Sequence, residues 1–210
     1  MGLKKRFVKT GKLEVRAEQD GKKKQIVGYG IVYNKKARIY DDLYEIIDPG
    51  AATEILKGIP DIRCRVNHER GKLLGRTKSG TLKLIEDEYG VKYIADPPDA
   101  QWARDVMESI ERRDIDGSSF TFAVEPESET RTRQEDGTIL RRIHKFARIG
   151  EMGPVEEAAY VETEAEIRSR QEEYDSLTAC LRTQDDAEKI AENQRTLELR
   201  KKKLALQEKM

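Results

Sequence analysis

Alternating apolar and polar positions recur through most of the chain and predict a body built mainly from β-strands. The stretch at 25–33 is rich in β-branched and aromatic residues, and Gly28 and Gly30 interrupt it, as in a bent or bulged strand. The segment at 61–69 alternates strictly. The stretch at 117–125 places phenylalanines and a valine on one face and small or hydroxyl residues on the other. We therefore expect these three segments to be strands around a hydrophobic core.

A long hairpin is predicted in the second half of this body. The strand at 117–125 leads through a polar excursion with Asp136-Gly137 to a second apolar stretch at 138–152. An Asp-Gly pair favours a tight turn between antiparallel strands. The tip of this hairpin should be exposed.

Helical patterns are fewer. The segment at 44–58 predicts a short strand, a Pro-Gly turn and one or two helical turns. The segment at 99–113 carries its apolar residues on one stripe, and Asp99 is a suitable N-cap. The body is therefore expected to be mostly β with one strong helix.

From about Val161 onward the pattern changes to that of a charged helical tail. This part is dense in charges of both signs and contains no Gly or Pro that would stop a helix. Apolar residues keep heptad spacing in two runs with a phase break between them. Two interpretations stay open: a helix that packs weakly on its own domain, or a partner-binding or self-associating coiled segment. The heptad positions are Ile167, Tyr174, Leu177 and Leu181, followed by Ile190, Leu197 and Leu204.

These patterns divide the chain into three parts. Residues 1–24 are rich in Lys and Arg and predict a basic arm or an edge strand. Residues 25–160 form the compact body, and residues 161–210 form the charged tail.

Composition agrees with a core domain that carries appendages. Charged residues make up 38% of the chain and apolar residues 37%, against about 25% and about 45–50% in ordinary globular domains. Part of the chain is therefore expected to lie outside any core. Lys and Arg balance Asp and Glu to a formal net charge of zero. Because the positive excess is confined to a short segment, nucleic-acid binding has little support.

The sequence also bears on cellular location. No run of about 18 or more apolar residues exists, so a membrane span is not expected. The Lys-rich start leads into no apolar segment of the kind that a secretory signal needs. Two cysteines are too few for a disulfide framework. We therefore expect a reducing, intracellular compartment.

Candidate chemistry is narrowed by the scarcity of histidine. Only His68 and His144 occur, and Cys64 with His68 does not make up the three or four clustered ligands of a zinc site. No phosphate-binding glycine motif occurs, so neither a metal nor a cofactor is expected. Cys64 shares the buried parity of its strand, which favours core packing over a nucleophilic role.

A serine nucleophile remains, and it needs an imidazole to take its proton and a third group to orient that imidazole. Ser119 and His68 are the candidates. Periodicity alone favours a plainer interpretation of each. His68 continues the inward parity of the strand at 61–69 and would be a satisfied polar residue at its end, and Ser119 would be an ordinary strand hydroxyl.

Successive blocks of the chain, over about residues 26–168, resemble the tailed-phage prohead proteases. These serine peptidases mature capsids and share a fold with herpesvirus assemblin. The two central blocks are the specific ones: an Asn-His pair before a Leu-Gly-Arg strand, and a Gly-x-Ser-Phe strand after a helix. The matching blocks are GYGIVYN at 28–34, YEIIDPGAA at 44–52, VNHERGKLLGRT at 66–77, DGSSFTF at 116–122 and EMGPVEEAAYVETEAEIRSR at 151–170.

The resemblance implies a fold and two roles. The fold is α+β, with a mostly antiparallel, β-barrel-like core, few helices and the charged C-terminal tail, and residues 25–160 are the catalytic domain. His68 takes the role of general base and Ser119 that of nucleophile. Ser118 is the adjacent alternative, but the family pattern places the nucleophile directly before Phe, as Ser119 precedes Phe120.

The third catalytic group, which orients the imidazole, is less closely defined, because assemblin uses a second histidine and the phage members of the family use an acid. If Asp136-Gly137 centres the hairpin, Ser119 lies opposite residue 154 or so, close to Glu151. His144 then lies about ten residues along the strand from Ser119, and at about 3.3 Å per residue this is too far for its imidazole to take part. Glu151 is therefore preferred over His144, with Glu156 and Glu157 as further alternatives. The family usually has Ser-Pro-Val after this acid, whereas this chain has Gly153-Pro154-Val155, a departure expected to fall in a turn.

The function that the resemblance implies is a serine endopeptidase of phage procapsid maturation, working through an acyl-enzyme without a cofactor. Its substrates would be the scaffold and the scaffolding part of the major capsid protein, and also the enzyme itself, inside the assembling procapsid in the host cytoplasm. Assemblin relatives depend on dimerisation, so a homodimer or higher oligomer is a further expectation. The rival hypothesis is a non-enzymatic scaffold or capsid-assembly protein that acts through its helical tail.

Overall fold

The computed structural model describes residues 4–8, 12–17, 23–156, 172–179, 181 and 195. The chain divides into two compact units, Met1–Tyr160 and Val161–Met210. The α-helices described in the first unit are α1 (Thr53–Lys57) and α2 (Gln101–Glu111). Its strands, in chain order, are β1 (Lys4–Val8), β2 (Glu14–Ala17), β3 (Lys24–Val32), β4 (Ala37–Arg38), β5 (Leu43–Ile47), β6 (Arg63–Arg65), β7 (Leu73–Arg76), β8 (Leu82–Glu86), β9 (Gly90–Ala95), β10 (Gly117–Ala123), β11 (Glu129–Arg133), β12 (Ile139–Ile143) and β13 (Arg148–Val155).

The strands form three sheets. The first has the order β1-β10-β13-β6-β7, the second β11-β12-β5-β4 and the third β2-β3-β9-β8. Pairing is antiparallel except between β12 and β5 and between β13 and β6. Within the described residues none of the sheets closes on itself, so the expected barrel-like core takes the form of three open sheets. The predicted α+β class, mostly β with few helices, is confirmed.

A common core lies between these elements. Phe120 and Phe122 of β10 stack with ring centroids 5.0 Å apart, and both contact the ring of Phe146 edge-on. All three rings are fully buried, and Met107 and Ile110 from the apolar stripe of α2 are also buried. The inward faces predicted for β10 and α2 are therefore correct.

The predicted long hairpin exists, but it is divided between two sheets. β10 pairs with β13 in the first sheet, whereas β11 and β12, which flank the Asp136-Gly137 turn, belong to the second. The register shifts between Thr121 and Phe122, and a bulge of this kind bends a strand. Pairing of β10 with β13 ends at Ala123, and a 3-10 turn at Pro126–Ser128 leads into β11 of the second sheet.

Two local expectations are wrong. β6 ends at Arg65, and Asn67 and His68 both have left-handed backbone angles, φ 50° and 59°, so strand parity does not extend to His68. At the start of α2 the N-cap is Ala100. The Asp99 carboxylate instead pairs with the guanidinium of Arg104.

The two ends of the chain are described only in part. β1 and β2 are each an edge strand of their sheet. In the second unit, residues 172–179 are helical, and of the heptad positions only Tyr174, Leu177 and Leu181 lie within the described residues. The proposed coiled segment therefore lies largely outside them. In the part of the chain that the structure describes, no helix has the length and apolar character to cross a membrane.

Candidate active site

Ser119 lies in the middle of β10, a strand whose residues are all buried. Because Phe120 and its neighbour two positions on point into the core, Ser119 lies on the opposite face of the sheet. Across the sheet it pairs with Gly153 of β13. This partner is within one residue of the position that the turn residues predicted.

His68 comes to Ser119 on a tight loop that follows β6. The loop is fastened to the end of β13 by Asn67, whose backbone N–H donates to the Pro154 carbonyl at 3.1 Å. The Asn67 side-chain oxygen accepts the Glu156 N–H at 3.1 Å. The left-handed backbone at residues 67 and 68 then turns the imidazole back towards β10. As a result His68 Nε2 lies 2.8 Å from Ser119 Oγ, within hydrogen-bond distance.

Glu151, on β13, contacts the other nitrogen of the same ring. Its Oε2 lies 3.1 Å from His68 Nδ1, and its Oε1 pairs with the Arg65 guanidinium. The His68 and Glu151 side chains are 14% and 21% exposed, so the pair is largely shielded from water. The Arg65 contact fixes the carboxylate and leaves one oxygen for the imidazole.

The surroundings of the imidazole favour its neutral form. Burial lowers the pKa of His68, the hydrogen bond to Glu151 and the charge of that carboxylate raise it in part, and the charges of Lys5 and Arg65 lower it, for a net fall below 6.5. A neutral ring in this position donates its Nδ1 proton to Glu151 and leaves Nε2 free to accept the Ser119 proton. That is the protonation state a general base requires.

Gly153 permits the close approach of the strands behind the site. A Cβ at this position would lie 2.3 Å from the Arg65 carbonyl oxygen, an impossible contact with the backbone of β6. The expectation that Gly153-Pro154 forms a turn is therefore wrong, since both residues are in β13. The departure from the family pattern falls directly beside the site.

The other candidates for the third group lie elsewhere or are engaged otherwise. His144 Nδ1 donates to the Asp48 carboxylate at 2.7 Å, and His144 Nε2 lies 3.1 Å from Thr130 Oγ1. Glu156 lies within 3.3 Å of the Asn67 amide nitrogen. Glu157 lies outside the described residues.

The alternative nucleophiles are also placed away from the imidazole. Ser118 Oγ lies 2.9 Å from the buried Tyr93 hydroxyl, on the core side of β10. Cys64 is fully buried, and burial raises the pKa of its thiol. Among the described residues, no three His, Cys, Asp or Glu side chains gather as a metal site would require.

Sequence patterns missed the groups that position this site. Arg65 lies on the polar face of its strand, but alternation does not say which acid it meets. Asn67 stands in the Asn-His block, yet its clamp on β13 depends on a left-handed turn that alternation does not reveal.

A hydroxyl, an imidazole and a carboxylate joined in this order are the arrangement of serine hydrolases, which is recognised by geometry on unrelated folds. The family model described as caudovirus prohead serine protease matches residues 11–176, a span that contains all three groups. The chain belongs to the caudovirus prohead serine protease family, as its sequence blocks predicted. It is accordingly a serine protease of capsid maturation, and family membership implies action on phage capsid proteins within the assembling procapsid.

Comparison of the chain with curated proteins and with solved structures gave no significant match.

Proposed function

We propose that the protein is an endopeptidase in which Ser119 is the nucleophile, His68 the general base and Glu151 the group that orients His68. The observation that carries this proposal is the continuous line from Ser119 Oγ to His68 Nε2 at 2.8 Å and from Nδ1 to Glu151 at 3.1 Å. The lowered pKa of the imidazole supports it.

The chemistry follows from these positions. Ser119 Oγ bonds to the scissile carbonyl carbon while its proton passes to His68 Nε2. Glu151 stabilises the imidazolium and keeps the ring in place. The imidazolium then protonates the leaving amine as the C–N bond breaks, which leaves an acyl-enzyme. A water molecule, deprotonated by the same imidazole, releases the acid and restores the serine.

We further propose that the substrates are the scaffold and the scaffolding part of the major capsid protein. Membership of the prohead protease family supports capsid proteins as the substrate class. The charged tail from residue 161 onward is proposed as a segment that docks on scaffold or capsid helices and that the enzyme removes from itself.

Co-expression with the neighbouring capsid gene product tests the enzymatic role. Ser119→Ala and His68→Ala should each abolish cleavage of the capsid protein. Ser118→Ala is the matched control, because it removes the adjacent hydroxyl on the core side and should leave cleavage in place. Cleavage that persists in the Ser119→Ala variant would favour the rival, a non-enzymatic assembly protein.

Mass spectrometry of the freshly expressed protein tests self-processing separately. A tail shortened in the wild type and intact in the Ser119→Ala variant is the expected result. An intact tail in both proteins would argue against self-processing.

A further inference from the structure

The edge of β10 beside the nucleophile is occupied by the N-terminal strand of the chain itself. β1 pairs antiparallel with β10, in a register that sets Phe7 opposite Ser119 and Val8 opposite Ser118. The other edge of β10 is taken by β13, which carries Glu151. β1 therefore covers the one edge of the nucleophile strand that the site does not itself use.

The nucleophile is also poorly accessible to solvent in this structure. Ser119 is 5% exposed, and the His68 side chain is 14% exposed. A scissile carbonyl must come within bonding distance of Ser119 Oγ. Extended peptides commonly bind by adding a strand to a sheet edge, because their main-chain groups then find partners. The position for such a strand next to Ser119 is the one that β1 holds.

The ion pair between Arg6 and Glu45 anchors β1, and its release leaves no buried charge without a partner. Arg6 donates to the buried Glu45 carboxylate at 2.8 and 3.0 Å. Glu45 also accepts from the fully buried Arg141 at 2.6 Å. Since Glu45 keeps the Arg141 partner when Arg6 leaves, the large penalty of an unpaired buried ion does not oppose release.

Two further observations concern the position of β1 relative to the family match and to the site. The family match begins at residue 11, so β1 precedes the residues that carry the family relationship. Lys5 lies close enough to the imidazole for its charge to act on His68. β1 thus lies outside the matched residues and against the strand that carries Ser119.

We propose that the edge of β10 now paired with β1 is the binding site for an extended segment of the substrate, and that this segment displaces β1. The inference rests on the proposed function of Ser119, and it assigns the site a resting state closed by the chain's own N-terminus. The ligand class is a polypeptide in strand conformation.

A reversible lock on β1 tests this in the full-length protein. Lys5 and Thr121 are cross-strand partners, and antiparallel partners lie within the Cα separation that a disulfide spans. Thr121 Oγ1 has no hydrogen-bond partner within the described structure, so its replacement by sulfur breaks no hydrogen bond there. The Lys5→Cys/Thr121→Cys variant should lose cleavage of purified capsid protein when oxidised and recover it on reduction.

The two single-cysteine variants, oxidised and reduced in the same way, control for the native cysteines. Arg6→Ala is the complementary variant, with the anchor loosened. It should lower the KM for capsid protein about tenfold, the size expected for loss of a charge-assisted hydrogen bond. Equal cleavage by the locked and reduced forms would overturn the proposal, as would an unchanged KM in Arg6→Ala.

Labelling with a fluorophosphonate distinguishes failure of the β1 proposal from failure of the proposed function of Ser119. If Ser119 is labelled in the reduced variant but locking does not affect cleavage, only the role of β1 is wrong. If the wild type and the reduced variant show neither labelling nor cleavage, the assignment of Ser119 itself fails.

Discussion

At the residue scale, the charge state of His68 decides how activity depends on pH. A general base works only when deprotonated, and burial lowers the pKa of His68 below 6.5. We therefore expect kcat/KM to rise along one acid limb with its midpoint below pH 6.5 and to be level through neutral pH. The pH profile of capsid-protein cleavage measures this, and a midpoint above 6.5 would contradict the buried, neutral imidazole.

The role of Glu151 gives a prediction with two readouts. Glu151→Gln should reduce kcat by up to about 10⁴-fold, because an amide no longer holds the reactive tautomer. It should also move the acid limb to lower pH, since the carboxylate is the group that raises the pKa of His68.

Glu156→Gln is the matched control for this change, because its carboxylate lies beside the Asn67 amide and not beside the imidazole. Similar losses of kcat in both variants, or an acid limb that moves upward in Glu151→Gln, would show that Glu151 does not orient the ring.

At the element scale, the approach of β6 to β13 places the histidine loop. Gly153→Ala would push a methyl group into the Arg65 carbonyl. It should cost about 1–3 kcal/mol in the free energy of unfolding and lower activity, because β6 leads directly to His68. Denaturant unfolding together with the cleavage rate measures both effects.

Gly71→Ala is the control for Gly153→Ala, since a Cβ at Gly71 meets nothing within 4 Å. If both alanine variants unfold at the same denaturant concentration, the close contact between β6 and β13 is not important to the fold.

Sequence patterns predicted these elements unevenly. The register between β10 and β13 could be predicted to within one residue from the Asp136-Gly137 turn, and the register shift between Thr121 and Phe122 could not be predicted. The loop after β6 could not, because alternation describes a strand and two consecutive left-handed residues end it. The serine and the histidine are therefore proposed from short sequence blocks, and the geometry that joins them needed the structure.

At the scale of the whole molecule, a buried ionic cluster links the first and second sheets. Arg141 is 1% exposed and bonds to Glu45 and to Glu129 at 2.6 and 2.7 Å. Burial alone would raise the pKa of Glu45, but Arg6 and Arg141 outweigh it and hold that pKa below its ordinary value. The cluster could not be predicted from sequence, because its members come from β1, β5, β11 and β12, and nothing local pairs them.

Removing Arg141 should therefore destabilise the fold strongly. Arg141→Leu removes a buried guanidinium and, among the described residues, leaves Glu45 with Arg6 alone and Glu129 with Arg131 alone. It should cost about 3 kcal/mol, the lower end of the range for a broken buried ion pair. Arg142→Leu, next to it, removes a partly exposed pair with Asp48 and should cost much less. Chemical denaturation measures the difference, and equal losses would mean that the cluster does not stabilise the junction of the sheets.

The same cluster predicts how the stability of the fold changes with pH. Since the folded-state pKa of Glu45 is lowered, its contribution is present above the ordinary value of 4.5 and is lost as the pH falls through the lowered folded-state value.

If His68 makes the Ser119 hydroxyl a nucleophile, a fluorophosphonate should bond covalently to this serine, and peptide mapping identifies the labelled residue. We expect a single phosphonylated residue, Ser119, in the wild type and no labelling above background in His68→Ala. Labelling of a different serine, or equal labelling of Ser119 in the absence of the imidazole, would contradict it.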